Sequence, residues 1–245
     1  MISLFRKIRQ KLLQQHRITQ YLAYAVGEIF LVVIGILIAL QINTWNEERK
    51  NRDYELKMLR ELKSTLEKDS RYFRSQIRIL GIKELSANRL LQEIQLPDPS
   101  MDSINFHLER LEIEALFQYN SGAYGSIKSG GIDKISNDSL RSKIADLYEF
   151  LIPRTEKILE NLKETESIEE QLIEDFTERV ITKAPDGDQI INRKILNRDE
   201  ILKDEFLHFI QINKSITYYT LNRLQILLPQ IEDLVFEIEK ELPSD

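Results

Sequence analysis

Residues 21–42 read YLAYAVGEIFLVVIGILIALQI, with no lysine or arginine and a single acid, Glu28. As an α-helix this run extends about 33 Å, close to the roughly 30 Å hydrocarbon core of a bilayer. Tyr21 and Tyr24 at one end and Trp45 past the other are aromatic residues of the kind found at membrane interfaces. The run is apolar on every side, which argues against a buried helix of a soluble protein. We therefore predict a transmembrane helix over residues 21–44.

A cleaved signal peptide is the alternative interpretation of this run. Its apolar part is too long for a signal-peptide core, and the sequence IALQINTW that follows lacks a small-residue cleavage site. An uncleaved signal-anchor is therefore favoured.

Charge is distributed unevenly along the chain. The protein has 245 residues with 34 Lys+Arg and 40 Asp+Glu. Five of the bases and none of the acids lie in residues 1–20, whereas residues 47–245 carry a net charge of −10. The absence of cysteine excludes a disulfide scaffold, and the acidic balance argues against nucleic acid as a partner. The predicted organisation is a basic segment (1–20), the transmembrane helix (21–44) and a body (45–245).

The orientation is not decided by flanking charge, because five bases precede the apolar run and six lie within residues 46–65. The amino-terminal segment is short and free of acids, and a long domain can be translocated whatever its charge. We expect a cytoplasmic amino terminus in the inner membrane, with residues 47–245 periplasmic. The basic segment would either lie on anionic membrane lipid as an amphipathic helix or serve only to set topology.

One stripe of the apolar helix carries Glu28, Val32, Gly35 and Ala39. Small residues at this spacing allow close helix packing, and a carboxylate inside a membrane is expected to face a partner or water. Since the chain has one such helix, the partner would be another copy, which predicts a homo-oligomer. Two alternatives stay open, namely Glu28 reaching water near the headgroups and Glu28 lining an oligomeric pore.

The body is predicted to be all-α, an antiparallel bundle of long helices outside the cytoplasm. Leucine, isoleucine and phenylalanine recur at helical spacing from Leu59 to Leu80, and Gly81 is a possible weak point. A turn is expected at residues 96–100, followed by a short helix capped by Asp102 or Ser103.

The rest of the body is predicted to contain two further helical regions. The first is capped by Asn137 or Asp138 and runs to about Thr182, with a kink at Pro153. The second covers residues 198–242, with a kink expected at Pro229. Residues 183–189 are expected to form a loop, and no sheet is expected because period-two alternation is absent.

Four of the eight glycines fall within residues 119–132, in the segment SGAYGSIKSGG. Glycine lets backbone amides approach an anion or another chain, so Tyr124, Lys128, Gly130 and Gly131 form a candidate loop interaction site. The alternative is a structural turn in which Gly130 or Gly131 ends a helix and Tyr124 packs into the body.

The amino-terminal third resembles a known family. The start FRKIRQKLL (5–13), the run GEIFLVVIGILIALQINTWNE (27–47), the segment AYGSIKSGG and SNDSLR (136–141) are similar to an uncharacterised membrane-anchored family of Bacteroidota, a domain of unknown function. The resemblance implies a single-pass membrane protein with an extracytoplasmic helical domain. It implies no activity, ligand or catalytic residue.

Residue patterns typical of catalysis are absent from the sequence. Glu205 and His208 have the spacing of half a di-iron site, but the second half is missing because Ile104 stands three residues before His107. Glu112 and Glu114 would lie on different faces of a helix. We expect no catalytic, cofactor or metal residues. The predicted function is a non-enzymatic scaffold, adaptor or sensor with a possible unidentified protein partner; the alternative is a pore or transport subunit using Glu28.

Overall fold

The computed structural model describes residues 18–183 and 187–243, and 80% of them are helical. The predicted amphipathic helix of the basic segment lies almost wholly outside these residues. The helices are α1 (Ile18–Glu93), α2 (Met101–Leu111), α3 (Gly122–Gly130), α4 (Asp138–Ala145), α5 (Ile152–Phe176) and α6 (Asp204–Glu241). Shorter elements are two 3₁₀ turns (Ile132–Lys134 and Arg198–Leu202), a π-helical turn (Asp146–Leu151), and strands β1 (Thr177–Lys183) and β2 (Gln189–Ile195).

The chain divides into two compact units between Glu55 and Leu56. The first contains the apolar run, whose large side chains face solvent; Ile29, Phe30 and Leu31 are each more than 60% exposed. Within the described part of the chain, α1 is the one helix whose length and composition would allow it to cross a membrane.

The second unit is built on the apolar residues that recur at helical spacing in α1 from Leu59 to Leu80, which we call the buried stripe. Leu59, Leu62, Leu66, Phe73 and Leu80 are all at most 2% exposed, and α1 continues through Gly81 without a break. Burying such side chains stabilises a fold by about 1.5–3 kcal/mol each. The spacing prediction for this part of α1 is therefore confirmed.

Ion pairs and ring contacts define how the long helices run. On α1, Lys63 pairs with Glu239 at 3.0 Å and Arg74 pairs with Glu232 at 2.7 Å. The partner number on α6 falls as the α1 number rises, so these two helices are antiparallel. Helices α5 and α6 are antiparallel by the same test, because Glu169 bonds Asn213 and the ring of Phe176 packs 5.1 Å from that of Phe206. Helices α1 and α5 consequently run in the same direction.

The prediction of no sheet is wrong. Helix α5 ends at Phe176 rather than near Thr182, and β1 and β2 form an antiparallel hairpin from the pair Thr177–Ile195 to the pair Lys183–Gln189. Only the hairpin base is buried, so its residues do not alternate in hydropathy although Val180, Ile181 and Ile191 favour strands. Gly187, at φ +95°, lies in the connection between the two strands.

Helix ends differ in detail from the predicted ones. Ser100, not Asp102 or Ser103, caps α2 by accepting the Ser103 N–H at 3.3 Å. Asn137 caps α4 as predicted, accepting the Leu140 N–H at 3.0 Å. Instead of an α-helix interrupted at Pro153, the chain forms the π-helical turn just before it.

Candidate functional site

The four residues of the predicted association stripe lie on α1 and are exposed. These residues are Glu28, Val32, Gly35 and Ala39, all within the first unit. A Cβ atom built on Gly35 would meet nothing within 4 Å, so that surface is open to a neighbouring helix. Beyond the run, Arg49 lies 6.0 Å from the Trp45 ring centroid, a distance at which a cation and an aromatic face attract.

The segment predicted as a loop forms the helix α3, in agreement with the alternative in which a glycine ends a helix. Its role as an interaction site stays a prediction. Gly131 ends α3 at φ +101°, a backbone conformation that side chains other than glycine rarely adopt. Gly130 is the last residue of α3. Tyr124 and Ile127 are buried, as the alternative predicted.

Two of the predicted residues belong to a polar cluster with the π-helical turn. The Tyr124 and Tyr148 rings stack with centroids 4.5 Å apart and planes 2° from parallel. The Tyr124 hydroxyl donates to Glu149 Oε1 at 2.6 Å, and Lys128 Nζ donates to the same oxygen at 2.7 Å. The π turn places both Tyr148 and Glu149 against α3; π-helical turns of this kind occur frequently at functional sites.

The electrostatics of this cluster favour a neutral tyrosine beside a charged carboxylate. Burial, and then the bond to Glu149, raises the pKa of Tyr124 to about 12. Hydrogen bonds from Lys128 and then Tyr124 lower the pKa of Glu149. Burial also raises the pKa of Tyr148. The hydroxyl groups are thus hydrogen-bond donors rather than activated nucleophiles, and the cluster acts chemically as a clamp between α3 and the π turn.

Residues 112–121, which we call the strap, cross α1 in an irregular conformation. Gln76 accepts the Leu116 N–H at 3.0 Å, the Tyr72 hydroxyl donates to the Leu116 carbonyl at 3.0 Å, and Asp69 accepts the Asn120 N–H at 3.2 Å. Burial raises the pKa of Asp69. Sequence reasoning missed the strap, although Asp69, Tyr72 and Gln76 recur at helical spacing.

A cleft of about 360 Å³ opens where the strap leaves α2. Its walls come from α1, α5, α6, β2 and the strap, and Glu112 and Glu114 both line it because α2 ends at Leu111. The two acids were predicted to lie on different faces of a helix, but both follow the end of α2. Burial raises the pKa of Glu112, while Arg193, with its Nε 3.9 Å from Glu112 Oε1, acts in the opposite direction.

Asn213 lies buried beside this cleft. Its amide nitrogen donates to Glu169 Oε1 at 2.6 Å and to the Leu111 carbonyl at 3.2 Å, and its oxygen accepts from Thr217 Oγ1 at 3.4 Å. The Leu111 carbonyl, at the end of α2, thereby gains a side-chain partner. This network positions α2, α5 and α6 relative to one another.

No group of three or more His, Cys, Asp or Glu side chains converges anywhere within residues 18–183 and 187–243. His107 Nδ1 is 3.3 Å from the Ser86 hydroxyl.

These features define a class: a helical protein with a clamped helical body and one exposed apolar helix compatible with a single-pass membrane anchor. The chain belongs to DUF6090, a family of unknown function, which matches residues 28–197. The match runs from within the apolar run to just past the hairpin. No curated protein and no solved structure is significantly similar to the chain.

Proposed function

We propose that the chain is a non-enzymatic, membrane-anchored interaction protein, a scaffold, adaptor or sensor that self-associates through its transmembrane and juxtamembrane helices. Its body, residues 47–245, is a periplasmic helical bundle, and residues 1–20 remain cytoplasmic. The observation that carries the proposal is the contrast between the exposed apolar run of α1 and the buried stripe of the same helix from Leu59 to Leu80. Exposed apolar surface of this extent is unfavourable in water and favourable in lipid.

Membrane insertion is tested by breaking the apolar run. Leu31→Arg with Ile36→Arg puts two charges at the centre of the run, and each opposes insertion by about 2.5–3.5 kcal/mol. We expect the wild-type chain to resist alkaline extraction from membranes and the double variant to be released. Ile181→Arg, at a 70% exposed hairpin position, is the matched control and should stay membrane-bound. Release of the wild-type chain would overturn the proposal.

Orientation is tested by labelling with a membrane-impermeant maleimide, which the cysteine-free chain permits. A Lys194→Cys variant should be labelled from the periplasmic side of intact cells, and a Ser3→Cys variant only after lysis. The reverse pattern would place the body in the cytoplasm.

Self-association through the stripe is tested with two glycines on the same helix. Gly35 lies on the stripe with Glu28, whereas Gly27 lies about a quarter turn away. Both have open space around them, so Gly35→Leu and Gly27→Leu change the helix surface equally. We expect Gly35→Leu to lower the oligomer fraction in mild detergent and Gly27→Leu to leave it unchanged. Equal effects would contradict packing through this stripe.

A further inference from the structure

In the part of α1 beyond residue 70, three exposed arginines lack an ion-pair partner among the described residues. Arg71, Arg78 and Arg89 lie directly opposite the buried stripe, within about 20° of one another around the helix axis. Two exposed aliphatic side chains, Ile82 and Leu85 at 40% and 58%, lie between the second and third arginine. We call these five residues the arginine stripe. It is conspicuous because the chain from residue 47 onward has a net charge of −10.

Helix α5 carries the complementary pattern on its outer side. Glu156, Glu160 and Asp175 are exposed, and Ile168, at 49%, lies between the last two. Glu160 pairs with Lys157, an exposed base on the same side of α5, so this side carries three acids and one base. Neither Glu156 nor Asp175 has an ion pair with any described residue. We call these four residues the acidic face; like the arginine stripe, it has aliphatic surface between charged positions.

The two surfaces also match in length, direction and level. Arg71 to Arg89 and Glu156 to Asp175 each extend about 27–28 Å along their helices. Helices α1 and α5 run in the same direction, as the contacts with α6 show. The cleft is lined by Leu80 of α1 and Glu169 of α5, so the aliphatic parts of the two surfaces stand at the same level of the body.

We propose that the arginine stripe of one copy docks against the acidic face of a second copy, with the helices parallel. The inference rests on the proposed self-association and specifies where the bodies meet. Charge complementarity selects this occupant, because a second copy brings acids and aliphatic surface at the matching spacing. The two surfaces differ, so a contact that pairs one stripe with one face is heterologous, the kind of contact that generates a ring when its rotation closes. Parallel α1 helices keep the amino-terminal ends of all bodies on one side, as anchoring in one membrane requires.

The test is site-specific crosslinking between two differently tagged full-length chains reconstituted in neutral lipid. Leu85→Cys on one chain and Ile168→Cys on the other should crosslink with a short bismaleimide. Leu85→Cys with Leu85→Cys should not, since the contact is heterologous. Ile226→Cys replaces Ile168→Cys as the matched control, because Ile226 on α6 is 50% exposed and lies outside both surfaces.

Charge reversal then tests the electrostatic part. Arg78→Glu with Arg89→Glu on the Leu85→Cys chain should reduce the crosslink, by up to roughly fivefold for each charge. Adding Glu160→Arg with Asp175→Arg to the Ile168→Cys chain should restore it. Lys194→Glu, at an exposed lysine of the hairpin, should change nothing.

Each contrary outcome has a defined meaning. A wild-type chain that is monomeric in lipid overturns the proposed self-association itself. An oligomer without the 85–168 crosslink, or with a crosslink indifferent to both charge reversals, overturns this inference alone. If the arginine stripe binds an anionic lipid surface instead, Leu85→Cys and Ile168→Cys should not crosslink. The arginine variants should then lose binding to vesicles containing anionic lipid, and this inference would be overturned.

Discussion

Replacing Asn213 by alanine provides the most direct test of how the body is held together. The side chain is 1% exposed and lies among apolar neighbours on α6, yet it makes two donated hydrogen bonds and accepts a third. The truncation leaves the buried Leu111 carbonyl without this donor, and it removes one hydrogen bond from Glu169, which lines the cleft. Each unsatisfied polar group costs about 1–3 kcal/mol. We expect Asn213→Ala to lower the free energy of unfolding by about 2–5 kcal/mol.

The assay is urea unfolding of the full-length chain in detergent, followed by near-ultraviolet circular dichroism of its tyrosines. This signal changes when the tyrosines of the body lose their packing on unfolding. The apolar run is expected to stay helical in the micelle. Asn222→Ala is the matched control, since Asn222 is exposed on the same helix, and its effect should stay within about 0.5 kcal/mol.

A double-mutant cycle with Glu169→Ala isolates the short bond between Asn213 and Glu169, because alanine has no side-chain oxygen to accept it. A hydrogen bond to a charged group contributes about 1.5–3 kcal/mol, so the two effects should be strongly non-additive. A coupling energy below about 0.5 kcal/mol would refute the assignment of this network as the link between α2, α5 and α6.

Three further predictions concern single positions. Gly131→Ala should lower the free energy of unfolding by about 1–3 kcal/mol, because φ is +101° and the new Cβ would lie 2.7 Å from Asp133 Oδ1. Gly125→Ala is the control: it has open space inside α3 and should be neutral or stabilising. Equal urea midpoints for the two variants would contradict the prediction. Lys128→Met should destabilise at pH 7 and progressively less as the pH falls below 4.5. The pKa of Glu149 is depressed in the folded state, so its ion pair stabilises above the unfolded value of 4.5 and is lost as the pH falls through the folded pKa. A difference in unfolding midpoint that does not change with pH would count against this prediction. Glu28→Leu should preserve the oligomer, and in planar bilayers the variant should give the same ion conductance as the wild-type chain. If the wild-type chain conducts ions and Glu28→Leu abolishes that conductance, the pore alternative is favoured.

Local patterns made some of the fold predictable. The exposed apolar run, the buried repeat from Leu59 to Leu80 and the cap at Asn137 each depend on residues a few positions apart. Helix periodicity and helix capping are determined by residues at this short separation, and these predictions were confirmed.

The predictions that were wrong depended on distant residues. The hairpin is stabilised where its base packs on the core, and there the Ile195 N–H donates a hydrogen bond to Asn105 Oδ1 at 3.0 Å, 90 positions away. The Tyr124 cluster needs Glu149 from the π turn, and the network at Asn213 needs Glu169. No window of neighbouring residues contains such pairs, so their geometry becomes visible only once the chain is folded.

The strap has a consequence for how the body opens. Its link to α1 consists of three side-chain hydrogen bonds, from Asp69, Tyr72 and Gln76, and the ring of Phe117 stacked 5.5 Å from that of Phe73. Among the described residues, amides 113–120 take part in no backbone-to-backbone bond. The strap can therefore detach while every helix stays intact, which makes it a separate unit of local unfolding. Its amides should exchange with deuterium ahead of those of α2 and α3 on either side, and a protease should cut there first.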